Sequence, residues 1–239
     1  MGSKIGTCLL CRAKVQKKSI RFHLESCPEM KKPKNTQRIS NDTNVYSILV
    51  EGTEKPEYWL CIDAHPSVTL KKLDKFLKRL WLECCGHMSA FEIDGTRYYP
   101  DSESRAELGG QNMDFSLAQL ISKGKKFAYE YDFGSTTYLS LRILSERKGS
   151  TGNGKIMLLA RNNPPPLKCE FCGWMATQIC GVCDGESGIT CDRCMKRHEC
   201  DEEMFLPLVN SPRTGVCGYC GGPETKPIMQ RGWVPSNKI

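Results

Sequence analysis

The sequence predicts an α+β protein, in which a small mixed sheet-and-helix domain stands between two cysteine-rich modules. Three observations lead to this fold class. Cysteine pairs separated by two residues occur near both ends of the 239-residue chain. Between them, apolar and polar residues alternate in short runs, which is typical of strands. One intervening stretch instead repeats its apolar residues every three or four positions, which is typical of a helix.

The first module spans residues 1–30 and carries Cys8, Cys11, His23 and Cys27. Cys8 and Cys11 form a Cys-x2-Cys pair, while His23 and Cys27 stand at i and i+4 on one face of a short predicted helix. Four such donors complete the tetrahedral coordination that structural zinc prefers. Because so short a segment buries little apolar surface, the metal must supply folding energy. We therefore predict a CCHC zinc finger, called the finger below.

The positive charge of the chain belongs to this finger and to the segment that follows it. Residues 1–40 contain ten Lys and Arg residues against two Glu residues, a net charge of +8, whereas the whole chain carries +7. Such a concentration of positive charge favours a polyanionic partner, most often nucleic acid. The alternative is that these charges are only solvated by water. Residues 31–43 are polar, basic and marked by proline, so we predict a linker there. The candidate nucleic-acid contacts are Lys14, Lys17, Lys18, Arg21, Lys31 and Lys32.

The central domain is predicted over residues 44–161. Alternation at residues 46–50 and again at 58–62 predicts two strands. A helix should follow, because Thr69 is a plausible N-cap and Gly86 offers a stop. The apolar residues that share one face of that helix are Leu70, Leu73, Leu77, Leu80 and Trp81.

The second half of the central domain is predicted to add hairpins and one short helix. The Asp94-Gly95 pair favours a tight turn. A helix is expected over residues 115–121, followed by strands that include 127–133 and 139–143, and a last strand over 155–160 after the flexible segment SERKGSTGNGK. The aromatic residues that alternate along 127–133 could stack on bases. A buried core face is the interpretation that we favour, because such alternation usually marks one.

The second module, residues 167–222, holds four further Cys-x2-Cys pairs. Gaps of seven residues separate the first three pairs, which suits a cross-braced layout. In that layout the first and third pairs bind one ion, and the second pair binds another with later ligands. Sequential binding of adjacent pairs is the alternative. The pairs are Cys169-Cys172, Cys180-Cys183, Cys191-Cys194 and Cys217-Cys220, with His198 and Cys200 after the third.

Spacing alone leaves the ligands of the second ion in this module open. Cys180 and Cys183 need two partners, and we favour His198 or Cys200 together with Cys217. With the finger, the chain is then expected to hold about three Zn²⁺ ions. An iron–sulfur cluster would also accept four thiolates. The glycine-flanked pairs are more typical of zinc knuckles.

Cys61, Cys84 and Cys85 remain outside these predicted sites. The last two end the predicted helix near His87, so a Cys-His nucleophile is conceivable. Small buried apolar thiols are the interpretation that we favour for all three.

Two stretches of the sequence resemble a known family. The first is YEYDFGSTTYLSLRIL at 129–144 with LLARNNPPP at 158–166, and the second is LPLVNSPRTGVCGYCGG at 206–222. They are similar to the proteins named after the third open reading frame of an Ri plasmid, also called insertion-element passenger proteins. The resemblance covers residues 44–222 and points to a branch common in methanogenic archaea and some anaerobic bacteria.

The resemblance implies a central α+β domain followed by a zinc-binding tail. It also implies that Cys217 is a ligand and Cys220 an extra thiol, because related tails usually carry Thr at the latter position. The finger lies outside the resemblance and is expected to be an added module. Family membership brings little function with it. Separately, the spacing of the tail is similar to that of B-box, MYND and HIT-type modules, which mostly bind proteins, so analogy favours a protein partner.

We expect a non-enzymatic zinc-binding adaptor. Its finger would contact nucleic acid, with RNA or a ribonucleoprotein favoured, and its C-terminal module would contact protein. A purely protein-binding scaffold subunit of a larger assembly is the alternative. An enzyme is disfavoured because the predicted sites are saturated with thiolate, whereas catalytic zinc keeps an open position. Phe22 is the one aromatic residue of the finger, so base stacking has little support from the sequence.

The expected cellular compartment depends on whether the sequence contains a membrane helix or a secretory signal. No apolar run approaches the ~20 residues that a membrane helix needs, and no secretory signal begins the chain. We therefore expect a soluble cytoplasmic protein without a membrane partner or an evident small-molecule substrate. In a reducing compartment, paired cysteines are better interpreted as metal ligands than as disulfides.

Overall fold

The computed structural model describes residues 4–31, 44–151, 155–183, 187–222 and 225. The chain divides into two compact units. Unit 1 comprises Met1–Lys78 and His87–Asn163, and unit 2 comprises Arg79–Gly86 and Pro164–Ile239. The α+β class expected from the sequence is confirmed, since unit 1 combines a large sheet with short helices.

The finger contributes two strands and two short helices to unit 1. Strand β1 (Ile5–Cys8) pairs with β2 (Lys14–Gln16) around a turn in which Arg12 has a φ of +64°. A single 3₁₀ turn then leads into α1 (Ile20–Ser26), and α2 (Pro28–Lys31) follows. The predicted short helix is therefore present.

Two long strands and a helix open the central part, close to the expected bounds. Strand β3 (Asn44–Gly52) pairs antiparallel with β4 (Trp59–Ala64). Helix α3 (Leu70–Leu77) begins where predicted, because Thr69 Oγ1 accepts a hydrogen bond from the Lys72 amide. It continues into one π-helical turn over Lys78–Leu82, so its helical course ends before Gly86.

A hairpin and two short helices follow. Strands β5 (Ser89–Ile93) and β6 (Thr96–Tyr99) are joined by Asp94 and Gly95, whose φ values are +52° and +76°. Positive φ at both central residues is the geometry of the tight hairpin turn that this residue pair favours. Helix α4 (Ser102–Leu108) and strand β7 (Gln111–Asn112) were not anticipated, whereas α5 (Leu117–Leu120) lies within the expected range.

The sheet of unit 1 is completed by β8 (Lys126–Tyr131), β9 (Thr137–Lys148) and β10 (Ile156–Asn162). Strand β9 is longer than predicted. Its last residues, 145–148, were expected to be flexible, but they pair with the beginning of β3. The strand order is β2-β1-β10-β4-β3-β9-β8-β5-β6-β7, antiparallel except between β6 and β7.

The aromatic alternation along β8 forms a core face, as predicted. Phe127 is 5% exposed, and Tyr129 and Tyr131 are fully buried. Phe91 on the neighbouring strand packs against Tyr129 with ring centroids 4.7 Å apart. These rings are therefore not available to stack on the bases of a nucleic acid.

A buried carboxylate, that of Asp74, contacts this core. Asp74 on α3 is 2% exposed and accepts hydrogen bonds from Ser89 Oγ at 2.7 Å and Tyr129 OH at 2.8 Å. Lys78 Nζ lies 3.4 Å from its other oxygen. Burial and the neighbouring carboxylate raise the pKa of Tyr129 well above its ordinary value. A paired and hydrogen-bonded carboxylate can be buried without the penalty of an isolated charge.

Unit 2 is organised around a small sheet of β11 (Gln178–Cys180), β12 (Ile189–Thr190) and β13 (Phe205–Pro207), with β11 in the middle. Its apolar cluster is small: the buried residues are Ala176, Ile179 and Leu208. The segment Arg79–Gly86 joins this unit through two buried hydrogen bonds. Trp81 Nε1 donates to the carbonyl of Asn210, and Ser211 Oγ donates to the carbonyl of Trp81.

The helices were compared with the length and apolar character of membrane-spanning helices. Within the part of the chain that the structure describes, no helix combines the length and the apolar character that a bilayer crossing requires.

Candidate metal centres

The four donors predicted for the finger lie together. Cys8, Cys11, His23 and Cys27 place one ligand atom each within 4.8 Å of one another. Cys11 Sγ lies 3.5 Å from His23 Nε2. In a tetrahedral zinc site with Zn–S near 2.3 Å and Zn–N near 2.05 Å, a sulfur and a nitrogen ligand are separated by about 3.5 Å. The spacing of these atoms therefore fits a shared tetrahedral ion.

The finger is built into the large sheet. Strand β1 pairs with β10, and Gly6 faces Asn162. A Cβ atom at Gly6 would lie 2.2 Å from the carbonyl oxygen of Arg161 and 2.5 Å from the indole of Trp59, so only glycine allows this approach. Cys8, Cys27 and Trp59 belong to one buried apolar cluster. The candidate metal centre thus shares its core with the central strands.

The first cluster of the C-terminal module joins its first and third pairs. Cys169, Cys172, Cys191 and Cys194 place their sulfur atoms within 4.8 Å of one another, with 3.8 Å between Cys172 and Cys191. Two thiolates on a tetrahedral zinc ion are separated by about 3.8 Å. Cys169 follows the isolated bridge between Lys168 and Met175, which closes the turn that carries the first pair.

The second cluster of this module joins Cys180 and Cys183 to His198 and Cys200. Cys183 Sγ lies 3.3 Å from His198 Nε2 and 3.7 Å from Cys200 Sγ. The other imidazole nitrogen, Nδ1, lies 3.3 Å from Glu170 Oε1. A carboxylate on Nδ1 fixes the proton there and leaves the Nε2 lone pair for a metal.

Glu170 is a functional residue that the sequence did not reveal. Its second oxygen accepts a hydrogen bond from the Gly188 amide at 2.9 Å. Gly188 has a φ of +84°, and a Cβ atom there would lie 2.6 Å from Cys180 Cβ. A Cys-Glu dipeptide that begins a Cys-x2-Cys pair gave no signal by itself. Only the folded chain brings Glu170 to His198.

In each cluster of the C-terminal module, backbone amides lower the pKa of one thiol, whereas the pKa of another, Cys194 or Cys200, is raised. Burial acts to raise the pKa of Cys169, but amides of Cys172, Cys191 and Phe171 hydrogen-bond to its sulfur and lower the pKa to about 6. The pKa of Cys180 falls to about 7, because amides of Val182 and Cys183 outweigh the effect of burial. Hydrogen bonds to sulfur favour the charged form, which is the form that binds metal.

The donors of the two clusters interleave along the chain, as in the cross-braced layout and unlike the sequential alternative. The second cluster differs from the expected one, because it takes both His198 and Cys200 and does not take Cys217. His198 and Cys200 follow β12 closely in the chain, whereas Cys217 lies beyond β13. Its thiol lies elsewhere in unit 2, with those of Cys84 and Cys85, and all three sulfur atoms are within 4.8 Å of one another.

The interpretation of the three remaining cysteines as buried apolar thiols is right for one of them. Cys61 is fully buried on β4. Cys85 is exposed and Cys84 is partly exposed, because both follow the end of the helical segment. His87 comes two residues after Cys85 in the chain. Cys220, expected to be an extra thiol, is exposed and hydrogen-bonds to the carbonyl of Gly218.

The predicted nucleic-acid contacts are only partly available. Lys14 and Lys18 are exposed and have no acidic partner among the described residues. Lys17 Nζ instead binds Glu51 at 2.6 Å and the carbonyl of Pro56. The remaining three differ in their surroundings: Arg21 is exposed and pairs with Glu25, Lys31 is exposed at the end of α2, and Lys32 lies outside the described residues.

Comparison with protein families connects this fold to known sequences. Residues 45–172 match the plasmid pRiA4b ORF-3-like protein family, which is more than half of the chain. The chain belongs to this family. The pRiA4b ORF-3-like match begins with β3, runs through β10 and reaches the first Cys-x2-Cys pair of the C-terminal module. The predicted resemblance to this family is confirmed over residues 45–172, and the finger lies outside the matched residues, as expected.

Other comparisons add little about this pRiA4b ORF-3-like protein. A crystal structure of a protein of unknown function from Methanosarcina mazei Go1 is similar, with 17% sequence identity and a TM-score of 0.44. The similarity covers 50% of this chain and 70% of that one. No curated protein matches the chain.

Proposed function

We propose that this pRiA4b ORF-3-like protein is a non-enzymatic zinc-binding adaptor, whose finger contacts nucleic acid and whose C-terminal module contacts protein. The metal is inferred to be zinc because each of the three complete clusters offers three thiols and one imidazole, or four thiols. Soft thiolates in a tetrahedral arrangement select zinc over the harder divalent ions. Each set is complete without an open position, which favours a structural role over a catalytic one.

The observation that carries the nucleic-acid part is the exposed surface of the finger. Lys14, Lys18 and Arg21 are exposed there, and Phe22 is 67% exposed on α1. We call these four residues the basic face. A large aromatic ring left in water, on a finger that also exposes cations, is suited to stack on an unpaired base while the cations meet phosphates. This exposure supports single-stranded RNA, which the sequence alone supported less well.

Zinc would give the basic face its rigidity. His23 and Cys27 lie on or directly after the same helix that carries Arg21 and Phe22. An ion bound by these two donors fixes the helix against β1, where Cys8 lies. The contact surface would then lose its conformational entropy when the finger folds, so binding would not have to order it.

The basic face can be tested with the full-length protein and a single-stranded RNA oligonucleotide, using fluorescence anisotropy at several salt concentrations. The variant K14A/K18A/R21A should bind at least tenfold more weakly. Its salt dependence should flatten by about two units of slope, since each lost phosphate contact removes about 0.7 on a single strand. Equal binding by the variant and the native chain would overturn the nucleic-acid part of the proposal.

A matched control uses a second exposed basic helix. Lys71, Lys72 and Lys75 are exposed on α3, so K71A/K72A/K75A removes the same charge from unit 1. It should change RNA affinity much less. A parallel titration with single-stranded DNA of the same sequence separates RNA from DNA as the preferred partner.

The protein-binding part rests on exposed apolar residues of the C-terminal module. Trp174 is 67% exposed and Val182 is 62% exposed. The Arg193 guanidinium lies 5.8 Å from the centre of the Trp174 ring. Exposed aromatic residues with a neighbouring arginine are typical of the central residues of protein interfaces.

A purely protein-binding scaffold is the second candidate, and one observation favours it. Lys17 and Arg21, both expected to meet phosphate, already pair with Glu51 and Glu25. Sedimentation of the protein in native cell extract separates the two functions. An adaptor on nucleic acid sediments fast, and nuclease or the K14A/K18A/R21A change abolishes this. A scaffold sediments fast regardless of either, and W174A alone slows it.

A further inference from the structure

Three thiols of unit 2 stand apart from the clusters used above. The sulfur atoms of Cys84, Cys85 and Cys217 lie within 4.8 Å of one another, although about 130 residues separate the first two from the third. Once ionised, three thiolates at such distances can share one cation, which offsets their mutual repulsion. Their separation is compatible with the thiolate spacing of about 3.8 Å around one tetrahedral metal ion.

Hydrogen bonds connect the segment that leads to Cys84 with the segment that leads to Cys217. Trp81 Nε1 donates to the carbonyl of Asn210 at 2.9 Å, and Ser211 Oγ donates to the carbonyl of Trp81 at 2.6 Å. Both bonds are buried, so the chain just before Cys84 is fixed to the chain just before Cys217. These two buried hydrogen bonds therefore help to fix the positions of the segments that carry the thiols.

The backbone at Cys217 is unusual. This residue has a φ of +48°, and Gly218 after it has a φ of +66°. A residue with a Cβ atom seldom adopts the left-handed region, and such positions are found where the side chain has a specific task. Here the conformation turns the chain so that the Cys217 thiol reaches Cys84 and Cys85.

A buried cation supplies the independent argument. Arg213 is fully buried, and its Nη2 atom donates to Cys84 Sγ at 3.4 Å. A buried guanidinium favours a charged acceptor over a neutral thiol. Three thiolates around a divalent ion carry one net negative charge, which Arg213 would neutralise. The charge of the surroundings thus matches a metal-thiolate centre.

We propose that Cys84, Cys85 and Cys217 form a fourth metal centre, which binds a thiophilic divalent cation such as Zn²⁺. The three thiolates leave the fourth coordination position of a tetrahedral ion to another donor. Because Cys85 and Cys217 are exposed, the ion at this centre exchanges with solvent faster than the ions of the other three clusters. The centre does not depend on what the finger or the C-terminal module contacts.

The decisive experiment counts zinc in the full-length chain by native mass spectrometry after reconstitution with Zn²⁺. The variant C85S/C217S should hold one ion fewer than the native chain. The matched control is C220S, because Cys220 is exposed three residues from Cys217 but lies outside the group of three. It should hold the native number of ions. An unchanged count in C85S/C217S would overturn the proposal.

A second measurement guards against a general effect of the substitutions. Zinc released to a chromogenic chelator should show a fast phase of one ion per chain in the native protein and in C220S. That phase should be missing from C85S/C217S, with the slow phase unchanged in size. Loss of zinc from the slow phase, with the fast phase retained, would contradict the assignment of the exchangeable ion to this centre.

Discussion

Glu170 Oε1 lies 3.3 Å from Nδ1 of His198, while Nε2 of the same imidazole lies 3.3 Å from Cys183 Sγ. The carboxylate and the cluster of donors therefore hold the ring from opposite sides. This contact links the two clusters of the C-terminal module, because Glu170 stands between Cys169 and Cys172 of the other cluster. An ion held by Cys169 and Cys172 would help to order Glu170, which orients His198 of the other cluster.

Glu170→Gln should weaken zinc binding at the cluster of His198 by about 10 to 100-fold, because the amide orients the ring less firmly and lowers its basicity. Competition with a chelator of known affinity measures this. The matched control is E199Q, since Glu199 is exposed next to the ligand His198 but has no contact with its ring among the described residues. Equal losses in both variants would show that charge near the site matters and orientation does not.

The finger should unfold locally when it loses its ion. Cys11→Ser removes a partly exposed donor, so the change should release the metal while leaving the buried members of the cluster in place. We expect amide protection to fall over β1 and β2, measured by hydrogen exchange, while β3 and β4 stay protected. C200S serves as the control, because it empties a cluster of the other unit. Full protection of β1 in C11S would show that pairing with β10 holds the strand without metal.

How much the sequence reveals depends on the distance between partners along the chain. The donors of the finger were predictable because they lie close together in the chain. Cys8 and Cys11 belong to one turn, and His23 and Cys27 lie on or directly after one helix. The Asp94-Gly95 hairpin was predictable for the same reason, since two residues specify its φ angles. Alternation identified β8 as a core strand because its register with neighbours follows from burial alone.

Other features depend on contacts that no local pattern encodes. Gly6 faces Asn162 across 156 positions, and a glycine in a short strand gives no sign of the Trp59 indole against it. Cys217 was expected in the second cluster because spacing left its later ligands open and the family resemblance implied that Cys217 is a ligand. Its thiol instead meets Cys84 and Cys85, since buried hydrogen bonds of Trp81 bring those segments together.

Gly6→Ala should destabilise unit 1 strongly. The added Cβ atom would approach the Arg161 carbonyl oxygen at 2.2 Å, and backbone on a paired strand cannot move aside as a flexible side chain can. Overpacking of this kind costs about 1–3 kcal/mol of the free energy of unfolding, and sometimes more. Urea denaturation checks this against G134A, where the nearest atom would lie at 3.5 Å. Similar midpoints for the two variants would mean that β1 separates from β10 at little cost.

The buried tyrosines should make the protein less stable in alkali. Burial, with the nearby Asp74 carboxylate, holds the pKa of Tyr129 above its ordinary value, and burial does the same for Tyr58. The unfolded chain releases these protons near pH 10 while the folded chain retains them. Their contribution to stability is therefore complete below pH 10 and is lost as pH rises towards the folded pKa. Each residue adds a slope of about 1.4 kcal/mol per pH unit.

Tyr129→Phe isolates one of these slopes, because phenylalanine keeps the ring against Phe91 and removes the ionisable hydroxyl. At neutral pH the variant should be less stable by about 1–3 kcal/mol, since Asp74 loses a buried hydrogen bond. Between pH 10 and 11.5 its stability should decline less steeply than that of the native chain, so the two unfolding curves converge. Y138F provides the comparison, because Tyr138 is 41% exposed and should leave both quantities unchanged. Parallel declines in Y129F and the native chain would show that Tyr129 ionises as readily folded as unfolded, and that the Asp74 contact does not hold its proton.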